Sequence, residues 1–227
     1  MLDFLGKTLL FVVAHPDDES FTSAGTMWQN RLAGGKNYII CATYGEKGSA
    51  HLKKPVTQRM LKKIRGNELR QVAKFLKIDG LYFFNLPDTK VSSKTKIFLL
   101  KTLDVIKKLK PDYIFSFGPD GISGHLDHIA AGKVAKMAAK KLKIPFLAFG
   151  ASPAIRNRFE QIKARRKHGR YAKNISHPAP NTKVKINLKI KRSTLDFHKS
   201  QFGQSTMFAD MPKALKKGFM DYEYFIK

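Results

Sequence analysis

The sequence predicts an α/β fold: a Rossmann-like, doubly wound, mostly parallel sheet of order 3-2-1-4-5 plus C-terminal edge strands, with helices on both faces. Three observations predict it. Short runs rich in β-branched and aromatic residues alternate with helix-period segments through residues 8–149, the pattern of successive β-α units. The first run, residues 8–14, is apolar throughout, as in a central strand covered on both faces. Right-handed crossovers then make the doubly wound arrangement the natural one.

The elements follow in order. After the first strand, residues 20–33 read as a helix ended by Gly34-Gly35. Residues 38–43 form a second strand, with Cys41 a small buried apolar residue in it, and residues 44–55 a Gly-containing loop. Residues 57–76 return to helical spacing, with Leu61, Ile64, Leu69, Val72, Ala73 and Leu76 on the buried stripe. A third strand spans residues 81–84, a helix Thr95–Leu109 stops before Pro111, and a fourth strand spans Tyr113–Phe117. An Ala-rich helix over residues 127–142 and a fifth strand over residues 145–149 complete the regular pattern. Residues 152–180 break it: they are basic, Pro-containing, and read as a long loop with one short helix near residues 158–165. Val184, Ile186, Leu188 and Ile190 alternate with polar residues, which predicts a half-buried strand at the sheet edge. Residues 194–202 read as helical and residues 222–226 as a last short strand. With 227 residues and no internal repeat, the chain reads as one domain, 1–227, carrying a basic loop or insertion at about 152–183.

Composition narrows the function classes. Cys41 is the single cysteine, so a disulfide framework and a multi-cysteine zinc cluster are excluded, and any metal is held by His and carboxylates. The apolar start is too short to span a bilayer and lacks a basic leader, so no membrane span and a cytoplasmic location are expected. Lys and Arg number 43 against 17 acidic residues, a net charge of +26. The charge is spread along the chain and mainly Lys, which reads as solvated helix faces, and no motif for specific nucleic-acid readout accompanies it. The densest basic stretch, residues 156–170, is the exception to follow. No Gly-x-Gly-x-x-Gly follows the first strand, so a dinucleotide site is unsupported.

Two polar constellations carry chemistry. Ala14-His15-Pro16-Asp17-Asp18-Glu19 follows the first strand, where Pro16 stiffens a turn bearing an imidazole and adjacent carboxylates. Acidity there also suits the positive end of a helix, but that does not account for the His-Pro. His125-Leu126-Asp127-His128 follows the fourth strand, where Asp127 alone would read as a helix cap. In a 3-2-1-4-5 sheet the first and fourth strands are neighbours at the switch point, and ligands bind beyond their carboxyl ends. The residue types suit a His₂-carboxylate metal site with an open position. That set serves zinc hydrolases and non-haem Fe(II) oxygenases alike, so Zn²⁺, Fe²⁺ or another divalent metal fits. The surplus of acid/base groups favours a water-activating hydrolase.

These two motifs together resemble the PIG-L/LmbE-like family of zinc-dependent deacetylases, which act on N-acetylglucosamine-type substrates. The resemblance extends to Thr43-x-Gly45-Glu46, Arg65-x-x-Glu68-Leu69, Leu86-Pro87-Asp88 and His198-x-Ser200-Gln201, each weak by itself. It implies that His15, Asp18 and His128 bind zinc and that Asp17 is the general base. His125 would polarise the carbonyl or protonate the leaving amine, with Asp127 orienting and charge-stabilising it. Arg65, Asp88 and Glu46 become substrate contacts, although Arg65 and Glu68 also fit a helix-surface pair and Asp88 a turn residue. Glu19 is left a supporting role behind the ligands. The expected partner is a small amino-sugar substrate, and the basic region admits an anionic conjugate or polymer surface; a homo-oligomer is compatible with the sequence. The competing readings are a metal-dependent amidase or esterase with a non-sugar substrate and, further off, a nucleic-acid or anionic-polymer binding protein.

Overall fold

The computed structural model describes residues 3–48, 52, 55–152, 155–156, 170–172, 175–202 and 221–227. Strands β1 (Thr8–Val13), β2 (Lys36–Cys41), β3 (Gly80–Phe83), β4 (Tyr113–Phe117) and β5 (Phe146–Gly150) form the parallel part of one sheet. Strands β6 (Thr182–Lys185) and β7 (Tyr222–Ile226) extend it, giving the order β3-β2-β1-β4-β5-β7-β6. β7 runs antiparallel to both neighbours. The predicted order is thus present, and Leu9 to Ala14, at the centre, are fully buried as their unbroken apolar run requires.

Helices α2 (Ala24–Leu32) and α3 (Gln58–Phe75) cover one face together with α7 (Leu188–Phe197), while α4 (Thr95–Leu109) and α6 (Leu126–Leu142) pack together on the other. Short turns α1 (Asp18–Thr22), α5 (Gly121–Gly124) and α8 (Lys199–Phe202) flank them. Thr57 starts α3 by accepting a hydrogen bond from the Met60 amide at 3.2 Å. The predicted stripe of α3 lies inward at Leu61, Leu69, Val72 and Leu76, while Ile64 and Ala73 are half-buried.

Two elements differ from expectation. The single helix predicted over residues 20–33 is broken at Ser23 into α1 and α2. The cause is tertiary: the Glu223 carboxylate of β7 accepts from the backbone N–H groups of Gly25 (2.9 Å) and Thr26 (2.8 Å) and so caps a new helix start. Gly25 is required there, because a Cβ would lie 2.4 Å from that of Ile186. The strand predicted over residues 184–190 ends early. Asn187 accepts from the Lys189 amide at 2.9 Å and caps α7, which takes Leu188 and Ile190 into a helix. The short helix expected near residues 158–165 lies outside the described residues.

The same Glu223 is paired with a buried lysine: Lys191 Nζ donates to Glu223 Oε1 (3.1 Å) and to the Phe21 carbonyl (2.6 Å). This pair ties α7 and β7 to the start of α2, which follows the His15–Glu19 loop in the chain. Removing one member of such a buried, hydrogen-bonded pair leaves an uncompensated charge. Glu223→Ala is expected to cost about 3–5 kcal/mol in urea unfolding, and Lys191→Met in that background to recover part of the loss.

Candidate active site

The loops after β1 to β4 meet at the carboxyl ends of the strands. His15 and His128 approach from opposite loops, with His15 Nδ1 3.2 Å from His128 Nε2. Asp18 completes a trio, its Oδ1 3.2 Å from His128 Nε2 and its Oδ2 3.7 Å from His15 Nδ1. Ligand atoms of a tetrahedral zinc ion lie about 3.3 Å apart; the His15–His128 and His128–Asp18 separations match that spacing, while the Asp18 oxygen nearest His15 is the other one, at 3.7 Å.

The surroundings orient each donor. Asp18 Oδ2 accepts from the amides of Ala14 (3.0 Å) and His15 (2.8 Å). His128 Nδ1 donates to the Gly121 carbonyl at 3.0 Å, which turns its Nε2 lone pair toward the trio. His15 Nε2 faces Asp88 Oδ1 (3.3 Å) and Asp127 Oδ2 (3.4 Å), both acceptors, so it carries the proton and Nδ1 is left for a cation. The helix holding His128 sits close to β4 because of Gly132, where a Cβ would fall 2.1 Å from the Phe117 carbonyl oxygen. The His128 ring consequently stacks on Phe117, centroids 4.1 Å apart.

Two further donor groupings share His15. One adds His125 to His15 and His128, the other joins His15 with Asp88 and Asp127, ligand atoms within 4.8 Å in each. In the second, Thr89 (2.7 Å) and Val91 (3.1 Å) donate to the two oxygens of Asp127 and Lys47 donates to Asp88 Oδ2 (2.7 Å). Asp88 Oδ1 and Asp127 Oδ2 both face His15 Nε2.

The electrostatics favour a positive charge at the centre. Burial opposes the charged His15 ring, but Asp127, Asp88 and Asp18 outweigh it and push its pKa up to about 10. Burial likewise opposes the Asp18 carboxylate, yet His128 and His15 hold it well below the usual carboxylate range. The arrangement that would keep a proton on His15 is one that would equally hold a metal cation.

Asp17 sits beside this trio in an unusual backbone conformation, φ 110°. Its amide donates to Glu19 Oε2 at 3.0 Å, and its Oδ2 accepts from Arg65 Nη2 at 3.2 Å. Burial raises its pKa to about 6 against the lowering effect of Arg65. Asp17 Oδ1 has no protein hydrogen bond among the described residues. Arg65 also donates to the carbonyls of Pro16 (2.5 Å) and Gly45 (2.7 Å). It is buried, so the helix-surface pair with Glu68 is absent. Glu68 is instead buried against Ser200, accepting from its amide (2.8 Å) and hydroxyl (2.7 Å). Helical spacing alone could not separate these outcomes, since i,i+3 neighbours share a face whether it is wet or dry. Arg65 and Asp88 are thus engaged within the protein, and Glu46 supports Asp88 by accepting from its amide at 3.0 Å.

A second expectation changes with Asp127. Its carboxylate does not hydrogen-bond to the His125 ring; it turns to His15 and the Thr89 and Val91 amides. The link to His125 runs through the backbone, the Asp127 N–H donating to His125 Nδ1 at 3.2 Å. The His125 ring proton is therefore on Nε2. Burial, with the charges of His15 and His128, lowers the His125 pKa to about 3.

Glu19, the least explained member of the first motif, is fully buried and accepts from His198 Nε2 (2.7 Å) and the Ser20 hydroxyl (2.6 Å). His198 carried only a faint signal in the sequence, the short His-x-Ser-Gln resemblance. Burial works against a charged His198, but Glu19 outweighs it and raises the pKa above the ordinary histidine value. This pair's contribution to stability is fully present below about pH 6.5 and is lost as pH rises through the raised folded-state pKa. The stability gap between the wild type and His198→Gln, both metal-free, is expected to be larger at about pH 6 than at about pH 9; urea unfolding showing the reverse would contradict the assignment.

Comparison with known proteins places this geometry. Residues 10–139, over half the chain, match the family described as PIG-L, GlcNAc-PI de-N-acetylase. The chain is similar to a 1D-myo-inositol 2-acetamido-2-deoxy-alpha-D-glucopyranoside deacetylase from Corynebacterium diphtheriae, 25% identical over 67% of this chain and 59% of the relative. A protein of the same name from Streptomyces avermitilis is 31% identical over 62% of this chain and 55% of its own length. The aligned parts thus span less than two thirds of these curated relatives. Among solved structures, N,N'-diacetylchitobiose deacetylase from Pyrococcus horikoshii aligns with a TM-score of 0.71 at 22% identity, over 96% of this chain and 82% of that one. The 4-carboxy-2-hydroxymuconate hydratase from Pseudomonas putida shares the fold at TM-score 0.62 and 17% identity, over 97% of this chain and 95% of that one, so the architecture alone does not fix the reaction. By the family match, joined to the two motifs that build its site, the chain belongs to the PIG-L family.

Proposed function

We propose that this chain is a zinc-dependent N-deacetylase that hydrolyses the acetamide of an N-acetylglucosamine-type conjugate. The observation that carries the reading is the placement of a free carboxylate oxygen, on Asp17, beside the His15–Asp18–His128 trio. In this reading His15, Asp18 and His128 hold the ion, and Asp88 and Asp127 act behind His15. A divalent cation held there supplies Lewis acidity and makes water a competent nucleophile near neutral pH.

The remaining chemistry belongs to the protein. Asp17 takes a proton from the attacking water as its oxygen bonds to the acetyl carbon. His125 donates its Nε2–H to the carbonyl oxygen as negative charge grows there. Asp17 then returns the proton to the departing nitrogen, the C–N bond breaks, and the free amine and acetic acid result, the latter losing its proton to water to give acetate. Arg65 and Glu19 act as positioning residues, holding Asp17 in its left-handed backbone conformation. The names of the relatives, which concern N-acetylated glucosamine derivatives, support the substrate class.

Asp17→Asn is expected to lower acetate release from N-acetylglucosaminides by roughly 10²–10⁴-fold while leaving zinc content by metal analysis unchanged; near-normal turnover would remove Asp17 as the base. Asp88→Asn is expected to weaken zinc binding roughly 10–100-fold, read by competition with a chromophoric chelator. Release of acyl groups from other amides or esters with none from N-acetylated sugars would move the assignment to a non-sugar amidase.

A further inference from the structure

We infer that Arg170 is a specificity-determining residue that recognises an anionic group carried by the substrate beyond its N-acetylated sugar. The inference rests on the deacetylase reading. Arg170 closes the densest basic stretch of the chain, and the structure brings that end of the stretch onto the site. The Leu126 amide donates to the Arg170 carbonyl (2.9 Å) and the Ala172 amide to the Gly124 carbonyl (2.9 Å), so residues 170–172 run antiparallel to the segment bearing His125. The Tyr171 ring meets the His125 ring edge-on, centroids 5.4 Å apart. From this strap the Arg170 side chain reaches across to the loop after β2, where Nη1 donates to the Lys47 carbonyl at 3.2 Å. The Lys47 amide in turn holds Asp88 at 2.7 Å, and Asp88 faces His15. Arg170 therefore spans two walls of the candidate site.

Its chemistry is that of a recognition group. A guanidinium has five N–H donors, and only one has a partner here among the described residues. Arg31 and Arg65 are paired with Asp79 and Asp17, whereas no carboxylate neutralises Arg170 among the described residues. The site floor holds Asp17, Asp18, Asp88 and Asp127, which repel an anion. An exposed arginine with no carboxylate partner among the described residues, bridging residues 170–172 to the loop after β2, offsets that repulsion for an anionic group reaching this edge of the site.

The test compares N-acetylglucosamine 1-phosphate with methyl N-acetylglucosaminide as substrates for the wild type, Arg170→Gln and Arg170→Lys. The ratio of kcat/KM for the phosphate over the neutral glycoside is expected to fall at least roughly tenfold in Arg170→Gln, the loss of one charge-assisted hydrogen bond, with partial rescue in Arg170→Lys. Salt is expected to lower the wild-type ratio and to leave that of Arg170→Gln nearly flat. An unchanged ratio overturns the inference. Should the wild type hydrolyse neither sugar, the deacetylase reading fails, and binding decides the inference separately: glucosamine 1-phosphate binding more tightly than glucosamine to the wild type, by calorimetry, with the difference lost in Arg170→Gln, supports it, and equal affinities overturn it.

Discussion

The structure depends on one constraint: several carboxylates are buried together at the carboxyl ends of β1 and β4, and each must be compensated. Asp18 is held by two backbone amides and two imidazoles, Asp88 by an amide and His15, Asp127 by two amides and His15. Taking such groups out of water costs several kcal/mol apiece unless partners replace the lost hydration. Their number around His15 leaves a surplus of negative potential at one point. A site of this kind selects for a cation, and in a chain of net charge +26 it does so against the sign of the whole molecule. The long-range field and the local chemistry are thus opposite, and only the local one bears on metal binding.

A second buried polar system serves the first. Glu19 links the Asp17 amide to His198, Glu68 fastens Ser200, and Glu223 with Lys191 joins β7 and α7 to the start of α2. The longest of these contacts, between Glu223 and Gly25, joins residues 198 positions apart. Glu19 fixes the loop on which Asp17 and Asp18 sit, and Glu68 and Glu223 fasten the C-terminal segments to the helices that follow it. The C-terminal strands are therefore more than an extension of the sheet. They hold the start of the helix that follows the first motif, and the left-handed Asp17 persists because its bonds to Glu19 and Arg65 over-determine it.

Fold and chemistry are separable here. Solved structures with the same architecture include a sugar deacetylase and a hydratase, so the sheet supplies a place where loops converge and little more. What distinguishes this site is the convergence of His15, Asp18 and His128, an Asp17 oxygen with no hydrogen-bond partner among the described residues, and the His125 ring beside them. None of these is a property of the doubly wound sheet. All follow from which side chains stand at the switch point and from what their neighbours do to their protons.

The sequence by itself determined the sheet order, the first five strands to within two residues, the helix Thr95–Leu109, the helix read over residues 127–142 to within a residue, and the two motifs that meet at the switch point. These were legible because they rest on local periodicity and on a topological rule linking neighbouring strands. What only the tertiary structure decided were features set by distant partners. The break at Ser23 comes from Glu223, the inward turn of Arg65 and Glu68 from the Asp17 loop and Ser200, and the turn of Asp127 toward His15 from the amides of Thr89 and Val91. A side chain's spacing states which face it shares; it does not state which buried donor or acceptor will claim it. That choice belongs to the cost of leaving a buried polar group without a partner, and the partners come from distant parts of the chain.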